Sequence, residues 1–303
     1  MKTGRGSGFG KLILFGEHTV VYGAPAIVAG LPEGARAEVR PASAGETRVA
    51  MSGPYVRQPT DVQQQSINRA FRAIVDTFEE VPEEGLAAEV DVEIPVGVGL
   101  GSSASVSAAC ARAVADLLDQ PDRVEPAVEA GEGVFHGNPS GIDQLAALNG
   151  GLHFYRRGEM TEQAPIEAES FQLGVCVAGP PASTAEMVES VAERRGREPD
   201  LFEYLKLLVG DTARFASGAL QEGEWGRVGE LMDINQGALV SLGVSTEAID
   251  RACHVAREAG ALGAKLTGAG GGGCVVALLP EDDDGGVVEA WREAGWDAFS
   301  VEI

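Results

Sequence analysis

A chain of 303 residues with 44% hydrophobic content is long enough for two domains sharing a cleft and apolar enough for a sizeable core. Its formal net charge of −23 excludes nucleic acid as a partner, because backbone binding needs clustered Lys and Arg. No apolar run approaches the roughly 18 residues that cross a bilayer, which excludes a membrane span.

The stretch Leu12-Ile13-Leu14-Phe15 runs straight into Gly16, Glu17 and His18 and does not read as a signal peptide, so a cytoplasmic location is expected. It predicts a first strand over 11–15, and a second is predicted over 35–40. Ile67, Ala70, Phe71, Ile74, Val75 and Phe78 recur at helical spacing. Leu86, Ala88, Val90, Val92 and Ile94 alternate as in a half-buried strand. An Ala-rich helix is predicted from about 100 to 118, followed by strands over 150–155 and 171–178. Residues 183–258 carry mostly helix signals, with Leu201, Leu205, Leu208 and Phe215 as one candidate core face. A strand over 274–279, a short helix over 287–294 and a last strand over 298–303 complete the chain. A shift in pattern puts an expected domain boundary near residue 165. Cys110, Cys176, Cys253 and Cys274 show no C-x-x-C spacing, which predicts buried, reduced thiols and no zinc site.

Three glycine-rich segments interrupt these elements. Pro95-Val96-Gly97-Val98-Gly99-Leu100-Gly101-Ser102-Ser103-Ala104-Ser105 follows a strand and opens a helix. Glycines there let a ligand approach the backbone, and the helix start offers N–H groups and a positive dipole end, which together make a phosphate cradle. A tight turn with a Ser cap has the same signature. His136-Gly137-Asn138-Pro139-Ser140-Gly141-Ile142-Asp143 packs turn formers before an acid, and Glu132 lies upstream, so two carboxylates could serve one site. An ordinary first-turn acid complementing the helix dipole is the alternative for Asp143. Lys265-Leu266-Thr267-Gly268-Ala269-Gly270-Gly271-Gly272-Gly273-Cys274 joins two apolar strands. The chain has only Lys2, Lys11, Lys206 and Lys265, and two of these fall in such special segments. In an anionic protein, that is where a phosphate site would gather positive charge.

The runs K-L-I-L-F-G-E-H-T-V-V-Y-G-A-P-A-I at 11–27, G-L-G-S-S-A-S at 99–105, H-G-N-P-S-G-I-D at 136–143 and K-L-T-G-A-G-G-G-G-C at 265–274 resemble the GHMP kinase superfamily. Within it, V-V-Y-G-A-P-A-I and H-G-N-P-S-G-I-D resemble the mevalonate kinase family. Galactokinases carry an acidic D-Y pair where this chain has Val20-Val21-Tyr22. The resemblance implies an α+β protein with a ribosomal-protein-S5-domain-2-like N-terminal domain (1–165) and a ferredoxin-like C-terminal domain (166–303, Gly-rich loop 268–273), the site lying between them. It implies ATP-dependent phosphorylation of the 5-hydroxyl of mevalonate, with Asp143 as general base and Lys11 beside it. A lysine there would hold Asp143 ionised. Pro95, Gly97, Gly99, Leu100, Gly101, Ser102, Ser103 and Ala104 would take the nucleotide, and Ser103 and Glu132 would take Mg²⁺. Lys11, Glu17, His18, Gly141, Asp143, Thr267, Gly268 and Ala269 would face mevalonate. A homodimer is what relatives suggest. One departure stands out: many relatives carry a basic residue near Ala182 or Ala185, and this chain has none there. A kinase of another small alcohol or sugar, and a non-catalytic nucleotide-binding regulator, are the competing readings. A regulator would have lost Lys11, Glu132 or Asp143, and all three are present.

Overall fold

The computed structural model describes residues 2–42, 47–135, 141–157 and 162–303, so positions 136–140 of the H-G-N-P-S-G-I-D run lie outside it. In chain order come β1 (Gly4–Phe15), β2 (Pro25–Pro41), β3 (Arg48–Ser52), α1 (Asp61–Val75), β4 (Leu86–Val92), α2 (Ser102–Leu118), α3 (Val124–Phe135) and α4 (Ile142–Asn149). Then follow β5 (Gly151–Arg156), β6 (Glu162–Pro165), β7 (Gln172–Gly179), α5 (Thr184–Arg197), α6 (Pro199–Gln221), α7 (Trp225–Ser241), α8 (Glu247–Glu258), β8 (Gly263–Thr267), β9 (Gly273–Leu278), α9 (Gly286–Glu293) and β10 (Asp297–Glu302). Two compact units form: Met1–Lys11 with Gly30–Gly150, and Leu12–Ala29 with Gly151–Ile303. They interleave along the chain, a different division from two consecutive stretches meeting near 165, because β1 and β2 each continue from one unit into the other.

In the first unit the strand order is β3-β4-β2. β4 pairs antiparallel with β2 (Ala35 opposite Val92, Pro41 opposite Leu86) and parallel with β3 (Arg48 opposite Ala87). Its alternation survives intact: Leu86, Ala88, Val90 and Val92 are buried while Glu89 and Asp91 are exposed. Thr60 starts α1 with a reciprocal capping box to Gln63, and Ala70, Phe71, Ile74 and Val75 form its buried face.

β1 begins well before the predicted 11–15, at Gly4. The reason is close packing on α2. A Cβ at Gly4 would lie 2.1 Å from the Ala113 carbonyl oxygen, one at Gly6 2.4 Å from that of Ala109, and one at Gly8 2.2 Å from that of Ser105. Alternate strand positions thus meet successive helical turns with no side chain between them. The Ser105 hydroxyl donates to the Gly8 carbonyl at 2.8 Å.

The second unit carries an antiparallel sheet of order β10-β7-β9-β8. Its core includes Trp291, Phe202, Leu266 and Val275, and the Trp291 indole N–H donates to the Ala252 carbonyl at 2.8 Å. β8 ends this sheet, and side chains satisfy its outer edge. Asp233 accepts from the Ala264 N–H at 3.0 Å, Gln236 from the Leu266 N–H at 2.9 Å, and Arg257 donates to the Ala264 carbonyl at 2.7 Å. The predicted core face of α6 is corrected here. Leu201, Leu208 and Phe215 are exposed, Leu205 alone of the predicted face packs against the core from a partly buried position, and Phe202, Val209, Ala213, Ala216 and Leu220 are buried. The helix is apolar on two sides, and periodicity does not say which side meets the core.

Candidate active site

In the first unit, the loop after β4 brings Gly97, Gly99 and Gly101 into left-handed backbone conformations (φ +78°, +95° and +73°) before α2 starts at Ser102. Gly101 is the N-cap, and among the described residues no side chain caps the helix, whose start carries the N–H groups and positive dipole end that favour an anion. Pro95, Leu100 and Ala104 are buried and hold this turn in place, while Gly97, whose N–H lies 3.4 Å from the Ser102 hydroxyl, is exposed. Lys11 sits directly against the turn. Its N–H donates to the Leu100 carbonyl at 2.9 Å, and a Cβ on Gly101 would come within 2.8 Å of the Lys11 Cβ. Only glycine leaves room for the lysine.

Lys11 Nζ lies 2.6 Å from Asp143 Oδ1, the lysine side chain almost fully buried and the aspartate partly open. Asp143 stands in the first turn of α4, which Gly141 caps in a left-handed conformation (φ +86°). Glu132, buried on α3, accepts from the Ser103 hydroxyl at 3.4 Å and from Ser107 at 3.2 Å. Burial pushes its pKa up to about 7, with the Asp143 carboxylate adding to the rise, against the two serine bonds and the Lys11 charge. Two hydroxyls, two carboxylates and an ammonium thus gather beside one helix start, all within this unit.

The second unit gathers another set. Glu17, fully buried, forms an ion pair with Lys265 through Oε1 and accepts from the Asn235 amide at 3.2 Å through Oε2. Burial raises the Glu17 pKa and lowers that of Lys265, while their mutual attraction opposes both shifts. His18 adopts φ +61°, a left-handed conformation uncommon for a residue with a side chain. Its Nε2 lies 2.7 Å from the Ala269 carbonyl oxygen. Burial lowers its pKa, so the ring is neutral; a carbonyl only accepts, so Nε2 carries the proton and Nδ1 is an acceptor. Thr267 uses its hydroxyl on the Ile13 backbone, accepting from N–H at 3.0 Å and donating to the carbonyl at 3.1 Å. Gly268 follows it, buried at φ +85°.

The residues singled out in the sequence therefore sort into two clusters. Lys11, Pro95 to Ala104, Glu132, Gly141 and Asp143 belong to the first unit, and Glu17, His18, Thr267, Gly268 and Ala269 to the second. Sequence reasoning passed over Ser107, Asn235 and the pairing of Glu17 with Lys265. A buried asparagine in mid-helix leaves no local signal: Asp233, Asn235 and Gln236 share α7 with Arg227 and Glu230, and the sequence does not say which of these polar residues is buried.

Sequence models of two families match the chain: GHMP kinases N terminal domain over residues 66–151 and GHMP kinases C terminal over 216–296. The chain is 35% identical to the mevalonate kinase of Pyrococcus abyssi, an alignment covering 86% of this chain and 84% of that one. It is 34% identical to the mevalonate kinase of Aeropyrum pernix, over 89% and 86%. The crystal structure of L. major mevalonate kinase in complex with R-mevalonate matches with a TM-score of 0.89 at 33% identity, covering 99% of this chain and 96% of the other. With that coverage and identity, and with a glycine turn that opens α2 beside Lys11 and Asp143, the chain belongs to the GHMP kinases and, within them, to the mevalonate kinase family.

Proposed function

We propose that this enzyme transfers the terminal phosphoryl group of ATP to the 5-hydroxyl of mevalonate, giving 5-phosphomevalonate and ADP for isoprenoid precursor synthesis. The observation that carries the reading is the Lys11–Asp143 pair at 2.6 Å, packed against the glycine turn that opens α2. Phosphoryl transfer asks a protein chiefly for positioning and charge neutralisation. On this reading the uncapped start of α2 binds phosphate oxygens. Asp143 accepts the hydroxyl proton while the substrate oxygen bonds to the γ-phosphorus, and the bond from that phosphorus to the bridging oxygen of ADP breaks. The proton then passes to solvent. The Lys11 ammonium holds Asp143 in place and offsets charge on the moving phosphoryl group.

Ser103 and Glu132 fit a magnesium ion. They offer one hydroxyl and one carboxylate oxygen side by side, and Mg²⁺ takes few protein oxygens when phosphates and water complete its shell. A buried carboxylate with its pKa raised to about 7 also gains by facing a cation. When bound, the ion would neutralise charge on the phosphates. His18, Thr267, Gly268, Ala269 and Gly141 are proposed to face mevalonate, and 1–165 and 166–303 are proposed as the two kinase domains along the sequence, although the compact units divide the chain after Lys11, Ala29 and Gly150. The two family matches fall on either side of residue 165.

Among the described residues no helix is long and apolar enough to cross a membrane. Four buried free cysteines accord with the proposed cytoplasmic location. The homodimer expected from the resemblance is decided by sedimentation of the purified protein. The function is tested by ADP release from Mg-ATP with mevalonate, galactose, homoserine and phosphomevalonate in parallel. Turnover with mevalonate alone is expected; turnover with another alcohol keeps the kinase and overturns the substrate.

A further inference from the structure

We propose that Glu17, Lys265 and Asn235 form a buried positioning device that orients the His18 ring, and are not themselves part of the surface that touches substrate; this rests on the proposed function. Both Glu17 carboxylate oxygens are already engaged, one by Lys265 and the other by Asn235 at 3.2 Å. Lys265 is equally committed, with a second bond from Nζ to the Leu266 carbonyl at 2.6 Å. Neither side chain has any exposed surface. Asn235 in turn lies 3.2 Å from the Thr212 hydroxyl, deep between α6 and α7.

The connectivity closes a ring. Glu17 is bonded through the chain to His18, His18 reaches the Ala269 carbonyl at 2.7 Å, and the chain leads back from Ala269 to Lys265, which pairs with Glu17. The two segments that supply the imidazole and its acceptor are thus tied twice, once by the ring nitrogen and once by the ion pair. That tie accounts for the left-handed backbone of His18 (φ +61°). Such a conformation persists in a residue with a side chain only where the surroundings over-determine it. A buried ion pair is weak as a source of stability, but it can select one arrangement among several. Here the arrangement it selects leaves Nδ1 as an acceptor for a substrate hydroxyl. Asn235 completes the device by fixing which way the Glu17 carboxylate faces.

The test uses the full chain with Asn235→Ala, and Asn235→Leu as a variant that fills the same volume should the first fail to fold. Imidazole ¹⁵N signals of His18, recorded without substrate, are expected to show a single Nε2–H tautomer in the native protein and exchanging tautomers in the variants. The KM for mevalonate should rise about tenfold in either variant, as for a contact displaced by a fraction of an ångström, while the KM for ATP stays within about twofold. In a His18→Ala background the same Asn235 change should alter the mevalonate KM by less than about twofold, because coupled residues are not additive. An unchanged tautomer in the variants, or an equal rise in KM with and without His18, overturns the proposal. Native protein that fails to turn over mevalonate overturns the function alone, and the imidazole signals then decide the positioning role by themselves.

Discussion

Lys11 arrives on a strand and Asp143 in the first turn of a helix, and their 2.6 Å separation supports the proposed role of Asp143 as proton acceptor. Asp143→Asn keeps the shape and removes the base. The turnover number should fall about a thousandfold with nucleotide binding unchanged, read from ADP release and from nucleotide titration. Ser103→Ala takes one oxygen from the proposed metal pair, so the Mg²⁺ concentration giving half-maximal rate should rise; an unmoved Mg²⁺ requirement would remove Ser103 from that role. His18 gives a pH prediction. Its folded-state pKa is depressed from 6.5 by burial, so its stabilising contribution is complete above the unfolded value and is lost as pH falls through the lower folded one. Buried Glu132, its pKa raised to about 7, acts in the opposite sense in both proteins, so the prediction is the difference: as pH falls from 7 to 5 the urea midpoint of native protein should lose ground to that of His18→Asn, a residue that tolerates the left-handed backbone. Asp143, Lys11 and Glu132 were legible in the sequence because turn formers and scarce lysines framed them. Asn235 was not, because its meaning comes entirely from Glu17, which reaches it through tertiary packing.

At the scale of elements, α1 and β4 could be read directly, since amphipathic spacing and alternation report burial on one side only, and α2 from its Ala-rich composition, which suits a helix buried nearly all round. β1 shows the limit of that reading. Alternation of glycine with Arg5, Ser7 and Phe9 has the composition of a loop, and it becomes a strand only because α2 requires a partner without side chains. Gly6→Ala would set a Cβ 2.4 Å from the Ala109 carbonyl oxygen, which nothing but backbone movement can relieve. A loss of about 3 kcal/mol is expected in urea unfolding, with activity reduced as well, because Lys11 lies on the same strand. Near-native stability in that variant would mean that the strand does not pack so closely. α6 shows the complementary limit. Its sequence offers two apolar faces, and only the packing of Phe202, Val209 and Ala213 into the second unit's helical layer decides between them.

For the whole molecule, a net charge of −23 opposes the approach of both ATP and a carboxylate-bearing alcohol. Raising ionic strength from about 0.01 M to about 0.15 M shortens the screening length from about 30 Å to about 8 Å. At constant free Mg²⁺, kcat/KM should rise about threefold over that range, as expected when a repulsive field is screened. A fall instead would mean that local positive charge around Lys11 dominates the encounter.

The interleaving of the two units bears on how the chain can be divided. Leu12–Ala29 is held with Gly151–Ile303, so a fragment beginning at residue 151 contains Lys265 and Asn235 but not Glu17. Such a fragment would bury an ammonium with no counter-charge, and a fragment ending at 150 would carry residues 12–29 with nothing of their own unit to pack on. One cut therefore cannot release two folding pieces. Recombination with a relative that respects these units needs three junctions, after Lys11, after Ala29 and after Gly150, and a single-crossover chimera would join Glu17 of one parent to Lys265 of the other.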